Sequence, residues 1–300
     1  AAARVHGVMP EHILPFNGGD ELLSVAIRAA AGERDAVVFL EPSYSLYPVL
    51  TEMNGSRAVK LAYDITEGRE SESRDDRPAW SLPAGIENTS AKILLIVNPN
   101  APSGHLDPLE RLDEIAGRFG GLLVIDEAYV DFAPRSALPL VRTHANVLLL
   151  RTMSKGYALA GLRFGYGIGQ PELLRQLEKV RDSYPVDAVA IAAATAAVTD
   201  QAYFEEARQK VIAERARLAA GLRALGFALP ESQANFVLAR APAWAGASAR
   251  GLYEGLKERG ILVRWWPLPR IADKLRITVG TPEQNDRLLA ALQALRAGGG

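Results

Sequence analysis

Short apolar runs recur through the first two-thirds of this 300-residue chain, near 36–40, 58–61, 93–98, 122–126, 147–152 and 164–168, with helical stretches such as 110–117 between them. No other feature restricts the fold as much. Strand-length segments separated by helix-length spacers form a mainly parallel sheet with helices packed over it. From Pro171 the helical pattern lengthens, and 200–226 reads as one long helix leading out of the sheet domain. A boundary is therefore expected near residue 200, dividing a large domain, 1–200, from a small C-terminal α/β domain, 201–300. Strands are expected in the latter at 235–239, 261–265 and 275–279. Thr281-Pro-Glu-Gln284 reads as an N-cap, a proline at the first helical position and a capping-box glutamine, which together start the last helix. The charged stretch 68–83 departs from this regularity and reads as a solvated loop.

An open parallel sheet presents its ligand groups where its strands end. Leu122-Leu-Val-Ile-Asp126 ends in an acid, and Glu127-Ala-Tyr129 follows. Strand-end aspartates often only cap the next turn, but one here can also pair with a pyridinium nitrogen and keep that ring cationic. The run ending at Leu150 leads into Arg151-Thr-Met-Ser154-Lys155-Gly, with Arg163 eight residues beyond the lysine. Most lysines only solvate a surface. A lysine held at the end of a buried strand can lose its proton by desolvation and attack an aldehyde. Ser154 and Arg163 then offer a hydroxyl and a planar cation to a phosphate.

Two further segments belong with these. Ile93-Leu-Leu-Ile-Val runs into Asn98-Pro-Asn-Ala101-Pro-Ser-Gly104, a proline-rich loop suited to a fixed wall. Asn17-Gly18-Gly19-Asp20-Glu21 opens a helix whose apolar residues recur at helical spacing, so its first N–H groups are free to hold phosphate. Taken singly, each has an ordinary structural reading. Together and in this order they point to pyridoxal phosphate held by Lys155 as a Schiff base.

With those segments, and with Pro42-Ser-Tyr44-Ser-Leu-Tyr47 and Leu275-Arg276-Ile-Thr-Val-Gly280, the chain resembles the fold-type I pyridoxal-phosphate enzymes, specifically the class II aminotransferases and the histidinol-phosphate aminotransferase family among them. The resemblance spans nearly the whole chain. It implies a large domain with a seven-stranded, mainly parallel sheet, a smaller C-terminal domain, and pyridoxal 5'-phosphate as cofactor. It implies transfer of an amino group from a small-molecule donor, histidinol phosphate, to a 2-oxo acid, 2-oxoglutarate, by a ping-pong route. A homodimer is the expected assembly.

The same resemblance assigns roles. Lys155 is the Schiff-base partner and proton carrier, Asp126 the partner of the ring nitrogen, and Tyr129 the donor to the phenolic oxygen. Tyr44 lies against the ring face, or else is a core tyrosine. Gly19, Asp20, Ser154 and Arg163 hold the phosphate. In 275–279 apolar and polar residues alternate, so Arg276 faces away from the packed side and is suited to clamp a carboxylate. Arg264 resembles the family's second arginine and is expected at the substrate phosphate or the distal carboxylate of glutamate; otherwise it is a rim arginine beside Trp265 and Trp266. Two departures stand out. Ala101 replaces the asparagine that helps hold the phenolic oxygen, and relatives carry some tens of residues ahead of the point where this chain begins, which normally supply an N-terminal arm.

Alternatives within the fold are threonine-phosphate decarboxylase and an aromatic or other amino-acid aminotransferase. Outside enzymes, a noncatalytic ligand-sensing domain uses the same scaffold. A net charge of −1 supplies no broad field for nucleic acid or anionic membrane. The chain has no cysteine and only four histidines, none paired at metal-binding spacing. Thiolate and metal chemistry are not expected, and neither a signal peptide nor a membrane-length apolar run is visible. Small-molecule chemistry in the cytoplasm is the expected setting.

Overall fold

The structure, a computed structural model, describes residues 1–66, 79–245 and 248–297. After a short helix α1 (Ala2–His6), the strands β1 (Ile13–Phe16), β2 (Ala36–Glu41) and β3 (Arg57–Ala62) alternate with helices α2 (Gly18–Ala30) and α3 (Leu46–Met53). A small antiparallel pair follows, β4 (Asp64–Thr66) and β5 (Ala79–Ser81). Then come β6 (Ile93–Val97), α4 (Leu109–Arg118), β7 (Leu122–Asp126), α5 (Leu138–Thr143), β8 (Val147–Thr152), β9 (Gly165–Gly169) and α6 (Pro171–Glu178). Seven strands form one sheet in the order β1-β9-β8-β7-β6-β2-β3. The five from β8 to β3 are parallel; β9 pairs antiparallel with both β8 and the edge strand β1.

All five residues of β6 and all five of β7 are buried, because both faces of the sheet are covered. Alternate side chains enter opposite cores. Leu94, Ile96, Leu123 and Ile125 pack on one face, whereas Ile93, Leu95, Val97 and Val124 meet Leu22, Val25 and Ala26 of α2 on the other. Each such side chain contributes roughly 1.5–3 kcal/mol by leaving water, which makes the register of these central strands hard to shift.

Beyond the sheet, α7 (Ala188–Thr199) and α8 (Gln201–Ala224) are N-capped by the side chains of Asp187 and Asp200, which accept from Ala190 N at 2.8 Å and Tyr203 N at 3.2 Å. The last part of the chain adds β10 (Phe236–Arg240), α9 (Ala249–Glu258), β11 (Lys274–Thr278) and α10 (Pro282–Ala297). Leu218, Leu222, Val237, Leu252, Leu275, Ile277 and Leu292 belong to a third core of their own. The expected capping box starts α10, with Thr281 N donating to Gln284 Oε1 at 3.0 Å and Gln284 N to Thr281 Oγ1 at 3.3 Å.

Three points differ from the sequence pattern. The segment 261–265 is not a strand: Ile261 N is tied to Leu256 O at the end of α9, Pro267 ends any ladder, and only Arg264 pairs, as a single bridge to Arg276. In the stretch 68–83, residues 68–78 lie outside those described, but Ala79–Ser81 form β5, where Trp80 is buried against Tyr63. The edge strand β1 carries no clear strand pattern because it is four residues long and contains Pro15. Among the described residues no helix is long and apolar enough to cross a membrane, and no cluster could hold a metal.

Candidate active site

The carboxyl ends of β6, β7 and β8 open on a pocket of about 150 Å³ shared by Asp126, Tyr129, Ser154, Lys155, Arg163 and the start of α2. Tyr44, Ala101, Tyr129 and Lys155 also line a wider cleft of about 710 Å³, whose far wall carries Arg264, Trp266, Arg270 and Arg276. Lys155 thus stands between a small chamber and a larger vestibule.

At the chamber's floor Asp126 is the last residue of β7 and only 4% exposed. Its Oδ2 accepts from the Tyr47 hydroxyl at 2.9 Å and its Oδ1 from Ala128 N at 3.0 Å. Burial pushes its carboxyl up to about 6, against the two donors, which favour the anion. Burial also lowers the Lys155 amine, with the Arg276 guanidinium adding to the effect and Asp126 opposing it. Its Nζ lies 5.5 Å from the centre of the Tyr129 ring. Tyr129 meets Phe236 edge-on at 5.0 Å and hydrogen-bonds Arg276 through its hydroxyl.

The opposite end of the chamber is cationic and rich in N–H groups. Helix α2 begins at Gly18 without a side-chain cap on its first turn. It approaches the sheet closely because β9 carries glycine at 165: a Cβ there would stand 2.8 Å from Gly18 C and 2.9 Å from Gly19 N. A Cβ on Gly18 would lie 2.7 Å from Arg163 Nη2, so the helix start and the guanidinium are neighbours. Ser154 is held by Thr152, whose Oγ1 donates to Ser154 Oγ at 2.9 Å and accepts from Ser154 N at 3.2 Å. The Asp20 carboxylate reaches Arg163 at 3.4 Å and accepts from the Tyr44 hydroxyl at 3.0 Å.

The wall expected at 98–104 is rigid for a visible reason. Asn98 Oδ1 accepts from Asp107 N at 2.8 Å, Asn100 Nδ2 donates to Ser103 Oγ at 2.9 Å, and Asn98, Asn100 and Ser103 are all buried. Ala101 packs with Tyr129, Ala234 and Phe236.

Across the cleft, Leu275 and Ile277 enter the third core while Arg276 faces the other way, over the rings of Phe236 at 5.0 Å and Trp266 at 5.3 Å. Its buried Nε has no hydrogen-bond partner. Arg264 also lies over Trp266, at 5.3 Å. It lines the cleft from an exposed position beside Trp266, and Tyr44, at 37% exposed, is not a core tyrosine.

Every expected site residue borders this pair of cavities. Thr152 and Trp266 border them too, and Tyr47 stands buried behind Asp126. Tyr47 ends the matching segment 42–47 and Trp266 is visible only as a neighbour of Arg264, with no role attached to either; nothing in the sequence marks Thr152 as part of the site.

An acid at one end, an anion cradle at the other and a half-buried amine beside a tyrosine fit an aromatic aldehyde bearing a phosphate. Such a site on this sheet defines a pyridoxal-phosphate enzyme of fold type I. The chain belongs to the aminotransferase class I and II family, which it matches over residues 1–292. It is 47% identical over 296 residues to histidinol-phosphate aminotransferase 1 of Nostoc sp., covering 98% of this chain and 79% of that one. With the histidinol-phosphate aminotransferase of Geotalea uraniireducens it shares 43% over 295 residues, 98% of this chain and 80% of the relative. The crystal structure of histidinol-phosphate aminotransferase from Sinorhizobium meliloti, in complex with pyridoxal-5'-phosphate, superposes with a TM-score of 0.86 at 30% identity, covering 99% of this chain and 80% of that one. The protein is a pyridoxal-phosphate-dependent transaminase, with an amino donor and a 2-oxo acid as substrates.

Proposed function

We propose that the chain transfers the amino group of histidinol phosphate to 2-oxoglutarate in two half-reactions at one site. The observation that carries this reading is the pairing of Arg264 and Arg276 on neighbouring backbone, both over Trp266 and both in the cleft that Lys155 faces. Histidinol phosphate brings a phosphate and no carboxylate, whereas glutamate brings two carboxylates. One amine position served by two guanidiniums accommodates both. Arg276, with a free buried Nε, takes the carboxylate nearest the amine; Arg264 takes the phosphate of one substrate and the distal carboxylate of the other. The identity to the Nostoc enzyme supports the same substrates.

The bound cofactor supplies a carbonyl carbon open to amines and a ring that draws electrons from the substrate carbon. Lys155 Nζ would hold its carbonyl carbon and would carry the proton that leaves the substrate carbon. A lowered amine pKa suits both tasks, because attack requires the neutral amine. Asp126 would accept the ring N–H and keep the ring cationic. Tyr129 would donate to the phenolic oxygen, and Tyr44 would pack on the ring. The N–H groups of Gly19 and Asp20, the Ser154 hydroxyl and Arg163 hold the phosphate.

We also propose that a smaller domain begins near residue 200, since the third core draws its buried residues only from 218–292. A homodimer completes the reading; Val180, Tyr184, Val189 and Ile191 leave an apolar face exposed around the start of α7.

The test combines labelling and product analysis. Pyridoxal phosphate reduced onto the chain with borohydride should be found by mass on Lys155, and histidinol phosphate with 2-oxoglutarate should yield glutamate. Carbon dioxide released from threonine phosphate without a 2-oxo acid would replace transamination by decarboxylation.

A further inference from the structure

Asp131 is not among the residues assigned above, and its side chain is only 12% exposed. It follows Tyr129 by two positions, at the turn after β7. Its carboxylate stands against the backbone of Gly156, the residue after Lys155, whose N–H favours the anion. The approach is close: a Cβ on Gly156 would lie 2.3 Å from Asp131 Oδ2 and 2.8 Å from its Cγ. Gly156 is thus required for space, so that a carboxylate can reach the peptide on the carboxyl side of the reacting lysine.

The residue is itself held at both ends, its carboxylate facing Arg151 and its backbone tied to α8. Arg151 of β8 lies 3.8 Å away through Nη1, and Arg151 is locked by Glu127 at 2.8 Å and by Ser136 Oγ at 2.9 Å. From α8, Arg208 donates to the Asp131 carbonyl at 2.5 Å and to Ala133 O at 3.3 Å. Arg215 of the same helix donates to Phe132 O at 3.2 Å and to Ala234 O at 2.8 Å. The lysine's own turn has few other ties. Ala158 N reaches Lys155 O at 3.1 Å, Leu159 N reaches Met153 O at 2.9 Å and Thr152 ties Ser154 ahead of the lysine, whereas Asp131 packs on Gly156 behind it.

We propose that Asp131 is a positioning residue: its backbone tied to α8 and its carboxylate facing Arg151, it packs against the Lys155–Gly156 peptide and so sets where Lys155 Nζ stands in the cleft. This rests on Lys155 being the reacting amine. A group displaced by about 1 Å from its attack position can lose two orders of magnitude in rate, so the effect belongs in kcat and in the behaviour of the lysine, with substrate binding spared.

The test is a double-mutant cycle in the cofactor-loaded protein with Asp131→Ala, Gly156→Ala and the double variant, plus Asp131→Asn, whose amide oxygen can still accept from Gly156 N. Three readouts apply: kcat, KM for glutamate, and the pH midpoint of the bound cofactor's absorbance without substrate, which reports the lysine linkage. Asp131→Ala should lower kcat by about tenfold or more and move that midpoint while leaving KM unchanged, and Asp131→Asn should recover most of both. Gly156→Ala should be severe in the wild-type chain and mild beside Asp131→Ala, because the added methyl then meets no carboxylate. Additive effects, an unmoved midpoint, or an asparagine variant no better than alanine would overturn the proposal. A variant that does not load or fold is read through the Asp131→Asn and Gly156→Ala pair, which keep the side-chain volume at 131. Borohydride labelling away from Lys155 would instead sink the reading on which the proposal rests.

Discussion

Tyr47 donates its hydroxyl to Oδ2 of Asp126 at 2.9 Å from a position with no solvent exposure. With Ala128 N on the other oxygen, it resists the burial that pushes this carboxyl up to about 6. Tyr47→Phe keeps the ring's shape and removes the donor, so the carboxyl should rise further and meet a cationic ring less well. Cofactor affinity, measured by titration into the stripped protein, should weaken about tenfold, in line with losing a hydrogen bond to a charged group. Unchanged affinity would detach Tyr47 from the site.

The same carboxyl predicts how stability responds to pH. Asp126 and Asp131 are each raised from 3.8 to about 6 by burial, so both bind protons more readily folded than unfolded. Their contribution is therefore fully present below about pH 3.8 and is lost as pH rises through about 6. In the cofactor-free protein, Asp126→Asn should flatten the fall in thermal midpoint between about pH 4 and pH 7 relative to the wild-type chain. Equal slopes in the two proteins would contradict the assignment. Loading the cofactor, whose cationic ring favours the carboxylate, should flatten the wild-type slope in the same way.

The sheet was legible because β6, β7 and β8 are buried on both faces and read as unbroken apolar runs, and the acid and lysine were legible because they follow those runs directly. What escaped depends on distance in space. Arg264 and Arg276 were expected as a pair, yet their bridge was hidden behind a false strand at 261–265. A short apolar run ahead of a breaker, here Pro267, cannot be told from a strand by pattern alone. Trp266, which stacks under both guanidiniums, has no periodic signature at all. The grip of Asp131 on Gly156 joins two turns that only the parallel pairing of β7 with β8 brings together.

Arg276→Ala and Arg264→Ala should separate the two substrates. Loss of Arg276 removes the guanidinium expected at the carboxylate, so KM for glutamate and for 2-oxoglutarate should rise by about one to two orders of magnitude, with a smaller effect on histidinol phosphate. Loss of Arg264 should raise KM for histidinol phosphate and glutamate together, since both place their distal anion there. Steady-state kinetics of the two half-reactions measure this directly. Equal effects of Arg276→Ala on all substrates would remove its role as a carboxylate clamp.

Gly165 offers a test of the anion cradle that touches none of its donors. It lies in β9 under the first turn of α2, and a methyl there would meet Gly18 C at 2.8 Å, Arg151 O at 2.9 Å and Gly19 N at 2.9 Å. These are backbone atoms, so no side chain can swing aside; the helix start must lift from the sheet. Gly165→Ala should therefore displace the N–H groups of Gly19 and Asp20 from Ser154 and Arg163. Binding of pyridoxal phosphate should weaken by more than about tenfold, whereas binding of pyridoxal, which lacks the phosphate, should change little, because the Asp126 and Lys155 end of the chamber is built on β7 and β8. Equal losses for the two compounds would mean that the helix start does not carry the phosphate.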